Sequence, residues 1–463
     1  MRTHLYSLGR VVAGWCFALL AGCGGGGYGG GGGGSSPPAA TLSISVNPTT
    51  ITVGQSATIT WTSNGATCVA SGSWSGAKAG SGTETVTPPS VGMFTYSLMC
   101  SGGGYGESQT ISTVLTVNAM SGFNQTDLVS RFAGTAAKAT DTNLTNPHGV
   151  AFAPGAPAWV MTNRAAAMFD GNGQTQSAAG MAGSSVSVSA NGLTLDPSAI
   201  VANHTSDFRV MANGRTGAAT LVYAGRNGMI GGWSAAVDRA NGVVMFRAAD
   251  GAVYTGLTLA ETPGGNRMLA VDFRNNKIDV FDVSFTRLVS ASGAFVDASL
   301  PAGYAPAGIL AIRNGPAGTT QVYVSYAQQL APDNQDNAVG AGLGVVNVFD
   351  ANGKLLRHLV PAGGILDAPS SMALAPKDFG TFSSALLVGN LGDGKINAFD
   401  VSTGRFIGTL SDSAGRPLIN RGLSSIAFGN DSHDQPRNAL FFTAGTDEAD
   451  GVFGRIDLAT AAD

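Results

Sequence analysis

The side chains best suited to chemistry in this sequence are acids and amides placed just after short apolar runs. Asp272 ends the run Met268-Leu269-Ala270-Val271, Asn390 follows Leu386-Leu387-Val388-Gly389, and Asp447 comes shortly after Leu440-Phe441-Phe442. Asn163, Asn275, Tyr326 and Asp393 belong to or adjoin similar segments. His148 is the histidine that follows a proline opening an apolar run, Pro147-His148-Gly149-Val150. Carboxylate and amide oxygens are the ligands that Ca²⁺ takes. If these segments meet, Asp272, Asn390 and Asp447 are expected to hold a cation, Ca²⁺ being the candidate. The residues His148, Asn163, Asp272, Asn275, Tyr326, Asn390 and Asp393 then form a candidate ligand-binding face. The stretch 326–344 adds Asp333, Asn334, Asp336 and Asn337 in a long segment without strand patterning, the kind of loop that often carries function. Its spacing does not match an EF-hand. No HExxH, GxSxG or defensible Ser-His-Asp arrangement occurs, so no catalytic residue is assigned.

Composition narrows the classes. Charged residues are only 12% of the chain, and 67 of its 463 residues are glycine. Hydrophobic residues reach 44%, enough to build a sizeable core. Glycine and a scarcity of Lys, Glu and Arg both disfavour helices. The net charge of -4 leaves no basic footprint, so nucleic acid is excluded as a partner. Sparse glutamate weakens a paired-carboxylate glycosidase.

The elements that must position these residues read as strands. Over 41–118, alternation is clean in Ala57-Ile59-Trp61 and in Phe94-Tyr96-Leu98-Cys100, the period of half-buried strands in a sandwich. From 119 onward an internal repeat appears. A strand ends in Met168-Phe169-Asp170, Gly232-Trp233-Ser234, Val280-Phe281-Asp282, Val348-Phe349-Asp350, Ala398-Phe399-Asp400 and Arg455-Ile456-Asp457. A second strand opens at Pro147, Pro197, Pro306 and Pro369, with Gly422-Leu423-Ser424-Ser425-Ile426 as a variant. A third lies between them. With one strand after the turn, each unit has four, and six such units close a ring. Residues 127–132 are expected to complete the last unit. The aromatic should fill the space between neighbouring units, and the aspartate should cap the turn.

Met268 to Asp282, MLAVDFRNNKIDVFD, resembles an NHL repeat. With Asn124-Gln125-Thr126-Asp127, Leu300-Pro301-Ala302-Gly303-Tyr304 and Leu391-Gly392-Asp393-Gly394, residues 119–463 resemble a family of exported bacterial six-bladed NHL-like β-propellers of uncharacterised function. Residues 41–118 resemble a bacterial Ig-like module. The expected fold is all-β: an Ig-like β-sandwich followed by a six-bladed β-propeller. The propeller resemblance implies no activity.

The N-terminus adds a compartment. Arg2 and Arg10 flank an apolar run over 11–20 that ends in Leu20-Ala21-Gly22-Cys23. A mature spanning helix needs about 20 apolar residues, so this run suits a signal peptide. It resembles the bacterial lipobox, which implies that residues 1–22 are removed, that Cys23 is lipidated, and that the membrane is a partner through that anchor. Gly24 rather than Asp follows Cys23, and the resemblance then implies an outer-membrane lipoprotein. Residues 23–40 are a Gly-rich tether with a span of roughly 20–24 Å. Cys68 and Cys100 remain as an even pair in an oxidising compartment, which predicts a disulfide. Two classes of function stand. One is a surface-anchored module binding a glycan, peptide or protein. The other is a metal-dependent, lactonase-like hydrolase with a cation at the propeller mouth.

Overall fold

The computed structural model describes residues 41–64, 67–102, 108–177, 181–188, 193–315, 318–445 and 450–459. The described chain is nearly all β. Its one non-strand element is a short 3₁₀ turn, Gly380–Phe382, and no α-helix occurs among the described residues. Cys23 and Asp447 lie outside the described residues.

The first 78 positions after the tether form two sheets around one core. Leu42–Asn47, Ala57–Ser63 and Ser81–Val86 make a three-stranded sheet. Thr50–Thr52, Gln109–Asn118, Gly92–Ser101, Thr67–Gly72 and Gly76–Lys78 make a five-stranded one. Every second residue points inward, so Ile59 and Trp61 of one sheet share a core with Tyr96, Leu98 and Leu115 of the other. Trp74 meets Trp61 edge-on at 5.3 Å. Both buried indole N–H groups find carbonyls, those of Ala79 and Ser97. Cys68 and Cys100 are bonded, and they stand opposite each other on adjacent strands of the five-stranded sheet. The disulfide therefore staples two neighbouring strands rather than the two sheets.

The rest of the chain builds six sheets in succession, arranged as a propeller-like ring. Their innermost strands are Gly149–Phe152, Pro197–Ala202, Tyr254–Thr262, Tyr304–Ile312, Pro369–Leu374 and Leu423–Phe428. Each of these touches the next, and the sixth touches the first. The third sheet has three named strands, and Arg287 bridges to Phe281 where a fourth would run. The second carries an added hairpin, Arg209–Ala212 with Arg215–Ala218. The N-terminal strand Phe123–Ser130 pairs with the C-terminal strand Val452–Leu458, so the two ends of this region share the sixth sheet.

The repeated aromatic explains how the ring holds. Phe169, Trp233, Phe281, Phe349, Phe399 and Ile456 are all at most 2% exposed. Each packs against the preceding sheet: Trp233 on Trp159 and Met161, Phe281 on Val210 and Ile230, Phe349 on Leu269 and Val271. Phe399 meets Tyr323 and Val346, Ile456 meets Leu387, and Phe169 meets Phe453. The aspartate after the aromatic caps its turn in four of the units, while Asp457 pairs with Arg455 instead. One oxygen each of Asp170, Asp282, Asp350 and Asp400 accepts two backbone N–H groups from the turn. At Asp400, which is partly desolvated, hydrogen bonds from Ser402 and Thr403 hold the carboxyl down at about 2.

A prediction concerns the small N-terminal unit. Its bridge closes a loop of 32 residues. Replacing both Cys68 and Cys100 with Ala should cost this unit about 2–4 kcal/mol in urea denaturation. An unchanged transition midpoint would show that the staple adds nothing.

Candidate functional site

The innermost strands share a local irregularity that decides what lines the axis. In five sheets the ladder to the second strand slips by one residue near the strand entry. The slips fall at Pro197/Ala199, Tyr254/Gly256, Pro306/Gly308, Pro369/Ser371 and Leu423/Ser425. The extra residues are Ser198, Thr255, Ala307, Ser370 and Ser424. A bulge re-aims its side chain, and here it frees a hydroxyl to reach the next sheet. Ser198 donates to the Tyr254 carbonyl at 2.6 Å, Thr255 to Ala307 at 2.9 Å, Ser370 to Leu423 at 3.2 Å, and Ser424 to Pro147 at 2.5 Å. In the fourth sheet Ala307 has no hydroxyl. Ser325 of the neighbouring strand takes over and donates to Pro369 at 2.9 Å. Five of the six sheet-to-sheet junctions are thus clasped by a donating hydroxyl, and in two of them a second hydroxyl, Thr258 or Ser425, accepts a backbone N–H of the next sheet.

The residue after each of these positions is small: Gly149, Ala199, Gly256, Gly308, Ser371 and Ser425. The next sheet's backbone lies close behind it. A Cβ at Gly308 would sit 2.3 Å from the Ser370 carbonyl oxygen.

The sixth junction is different. Its entry residue is His148, whose ring makes no hydrogen bond among the described residues. It faces a channel of about 340 Å³ on the ring axis. Ser198, Thr255, Ser370 and Ser424 line the same channel, and Val150, Ile200, Leu257 and Met372 form its apolar wall. Burial, with the Arg226 guanidinium adding to it, pushes the His148 imidazole down to about 4. It is neutral at physiological pH, with one ring nitrogen a donor and the other an acceptor.

Arg226 belongs to a strap over this end of the ring. It hydrogen-bonds the Gln335 carbonyl at 2.9 Å and pairs with Asp336 at 2.5 Å. Gln329 of the same loop donates to the carbonyls of Phe273 and Arg274. The loop over 329–343 therefore leaves the fourth sheet, crosses the third and is tied to the second. It is not a bare run of oxygen ligands, since Asp336 is spent on an ion pair.

The other candidate residues are placed apart from the axis. Asp272 is fully buried in its own sheet. Val253 and Asn275 donate to it, Asn275 through both backbone and side chain, and Lys277 lies 3.5 Å away. Burial raises its carboxyl above the usual range against these bonds. Lys277 also reaches Asp250 and Asp279, and Arg287 pairs with the same two acids. Asn390 donates to Asp393 and to the Ile365 carbonyl, and Asp393 pairs with Lys395. Both Asp272 and Asn390 close their own loops. Of the expected cation set Asp272, Asn390 and Asp447, the two described members each end a second strand and find hydrogen-bond partners in their own sheet. Among the described residues no group of three or more His, Cys, Asp or Glu is arranged to hold a metal.

Tyr326 is a strand residue, buried between the third and fourth sheets, and it lines a separate cavity with Asp297 and Tyr304. Burial, then the nearby Asp297 charge, raises its phenol. Asn163 lines a polar cavity with Arg131 and Arg164. Of the expected face, His148 alone looks into the axial channel. Sequence reading passed over Thr255, because Tyr254-Thr255-Gly256 has neither the proline of four entries nor the Ser-Ser pair of the sixth. The hydroxyl-then-small pair would have found it. Arg226 had no such signal, since its partner is 110 residues away.

No family model matches this chain. Sequence similarity is to three uncharacterised proteins of Acanthamoeba polyphaga mimivirus. The first is 31% identical over 266 residues, 56% of this chain and 62% of that protein. The second is 30% identical over 234 residues, 50% of this chain and 42% of the other. The chain thus spans less than two thirds of either relative, and these are viral where the motifs resembled exported bacterial proteins. Among solved structures, an auxiliary nutrient binding protein from Bacteroides thetaiotaomicron is 10% identical with a TM-score of 0.41, covering 91% of this chain and 98% of its own. A Bacteroides thetaiotaomicron protein of unknown function is 11% identical with a TM-score of 0.44, covering 90% of this chain and 98% of its own.

The His148 environment has a consequence for stability. A base whose folded pKa lies below its unfolded value of about 6.5 favours unfolding once it must be protonated. The unfolded chain binds more protons between pH 6.5 and 4, so stability should fall as pH drops through that window. His148→Gln should flatten this part of the profile, measured as melting temperature against pH. An identical slope in the variant would place the titrating group elsewhere.

Proposed function

We propose that this chain is an exported, lipid-anchored binding protein. In this reading Cys23 carries the anchor to an outer membrane, the Gly-rich tether and an Ig-like unit act as spacer, and a six-bladed propeller is the binding head. The observation that carries the binding role is the axial channel, with its neutral hydroxyl and aliphatic lining. Among the described residues His148 is the one titratable side chain that lines it. Hydrolysis would need an activated nucleophile, and the hydroxyls of Ser198, Thr255, Ser370 and Ser424 that line the channel lie against backbone carbonyls instead of the His148 ring, with no metal-ligand cluster among the described residues. A mostly apolar pocket with a few placed polar groups is the usual form of a small-ligand site.

Two measurements test the proposal. Cys23→Ser should abolish incorporation of labelled palmitate and move the protein out of the membrane fraction. Retained labelling would contradict the anchor. The soluble Cys23→Ser protein, dialysed against a pool of free sugars and short peptides, should retain at least one compound unchanged by mass spectrometry. Conversion of a retained compound would contradict the binding reading.

A further inference from the structure

The chemistry of the axial channel limits what it can hold. The hydroxyls of Ser198, Thr255, Ser370 and Ser424 each reach a backbone carbonyl of the neighbouring sheet, with the Ala224 carbonyl a second acceptor for Ser198 and the Thr443 carbonyl and hydroxyl further partners for Ser424, so their protons are committed to the protein. A hydroxyl oxygen that has donated its proton can still accept. The channel therefore presents these hydroxyls as acceptors, and a bare anion would meet oxygen lone pairs. A cation fares no better. Among the residues that line the channel there is no carboxylate to balance a cation's charge. His148 itself supplies one donor and one acceptor with no protein partner among the described residues. Below these polar groups the wall is aliphatic, Val150, Ile200, Leu257 and Met372.

We propose that the mouth of this channel binds a small neutral molecule rich in hydroxyl donors, a sugar unit or polyol, with His148 as its specificity-determining contact. This rests on the binding role proposed above and names its ligand class. The ligand hydroxyls donate to the serine and threonine oxygens. His148 exchanges one donor and one acceptor bond with them. The C–H surface of the ligand packs on the aliphatic wall. A channel of about 340 Å³ lies at the small end of the usual range for ligand pockets, about 300–1,000 Å³, which favours a single unit or chain end over a long oligosaccharide. The strap over 329–343, pinned by Arg226 and Asp336, adds a cover on the same end of the ring.

The test uses the full chain made soluble by Cys23→Ser, with its histidine ring nitrogens followed by NMR. The probes are glucose, galactose, mannose, N-acetylglucosamine and glycerol, with calcium chloride and sodium acetate as charged counterparts. At least one neutral probe should shift the His148 ring signals in a saturable way, and the charged probes should not. His148→Ser places a hydroxyl where most other sheets carry one, so it should fold. It should weaken that binding at least tenfold, read by calorimetry. Its melting temperature confirms that it is folded. If a neutral probe binds equally well to His148→Ser, the axial assignment is overturned while the binding role stands. Saturable shifts of His148 by calcium or acetate would overturn the neutral-ligand class. If no neutral probe moves the His148 signals, but peptides are retained in the dialysis experiment, the ligand class is likewise wrong and the binding role survives.

Discussion

A hydroxyl hydrogen bond from one sheet to the entry of the next organises the whole ring. A bulge sets it up by turning one residue of the innermost strand out of its own ladder. The freed Ser or Thr reaches a carbonyl at the entry of the neighbouring sheet. A buried carbonyl left unpaired is costly, and the clasp gives each of these carbonyls a donor. Where Ala307 removes the hydroxyl, Ser325 supplies one from the adjacent strand. That substitution within the same fold indicates that the bond, rather than the residue that makes it, is what the junction requires.

The rest follows from this constraint. Sheets held this closely at the axis leave no room for a side chain behind the clasp, so the next residue is Gly, Ala or Ser. Farther out the wedge between sheets widens, and the aromatic of the third strand fills it. The hydroxyls of the clasp then decide the channel's character, because their protons are committed to the scaffold. His148 stands where a clasp would be, and among the described residues its ring makes no hydrogen bond. The junction there carries an imidazole in place of a hydroxyl. Acidic groups, by contrast, are drawn into loop closure and ion pairs at the ends of second strands, away from the axis.

The sequence made the strands legible because their signals are local. The Phe-Asp and Pro-opened segments recur with their neighbours, and Asp170, Asp282, Asp350 and Asp400 cap turns within four residues. Cys68 and Cys100 were legible by count alone. The placement of Tyr326 in a buried strand was not, since Val322, Val324 and Tyr326 alternate in a run buried on both faces. Asp272 and Asn390 end the second strands of their sheets, where each is held by the loop after its own strand and by the segment before the innermost strand. Asp336 stands in the acid-and-amide stretch that the sequence singles out over 326–344, but its partner Arg226 is 110 residues away, so the sequence does not name the pair. His148 was singled out by its proline, but its neutral state depends on burial and on Arg226, which only the folded ring brings near.

The most direct measurement compares Ser424→Ala with His148→Ala by urea denaturation, followed through the buried pair Trp159 and Trp233. Ser424 closes the ring between its last and first sheets, and its loss strands a carbonyl. The account predicts a cost of about 1–3 kcal/mol for Ser424→Ala and little change for His148→Ala at pH 7. A stable Ser424→Ala protein beside a strongly destabilised His148→Ala protein would contradict it, because the imidazole would then belong to the scaffold and the hydroxyl would not.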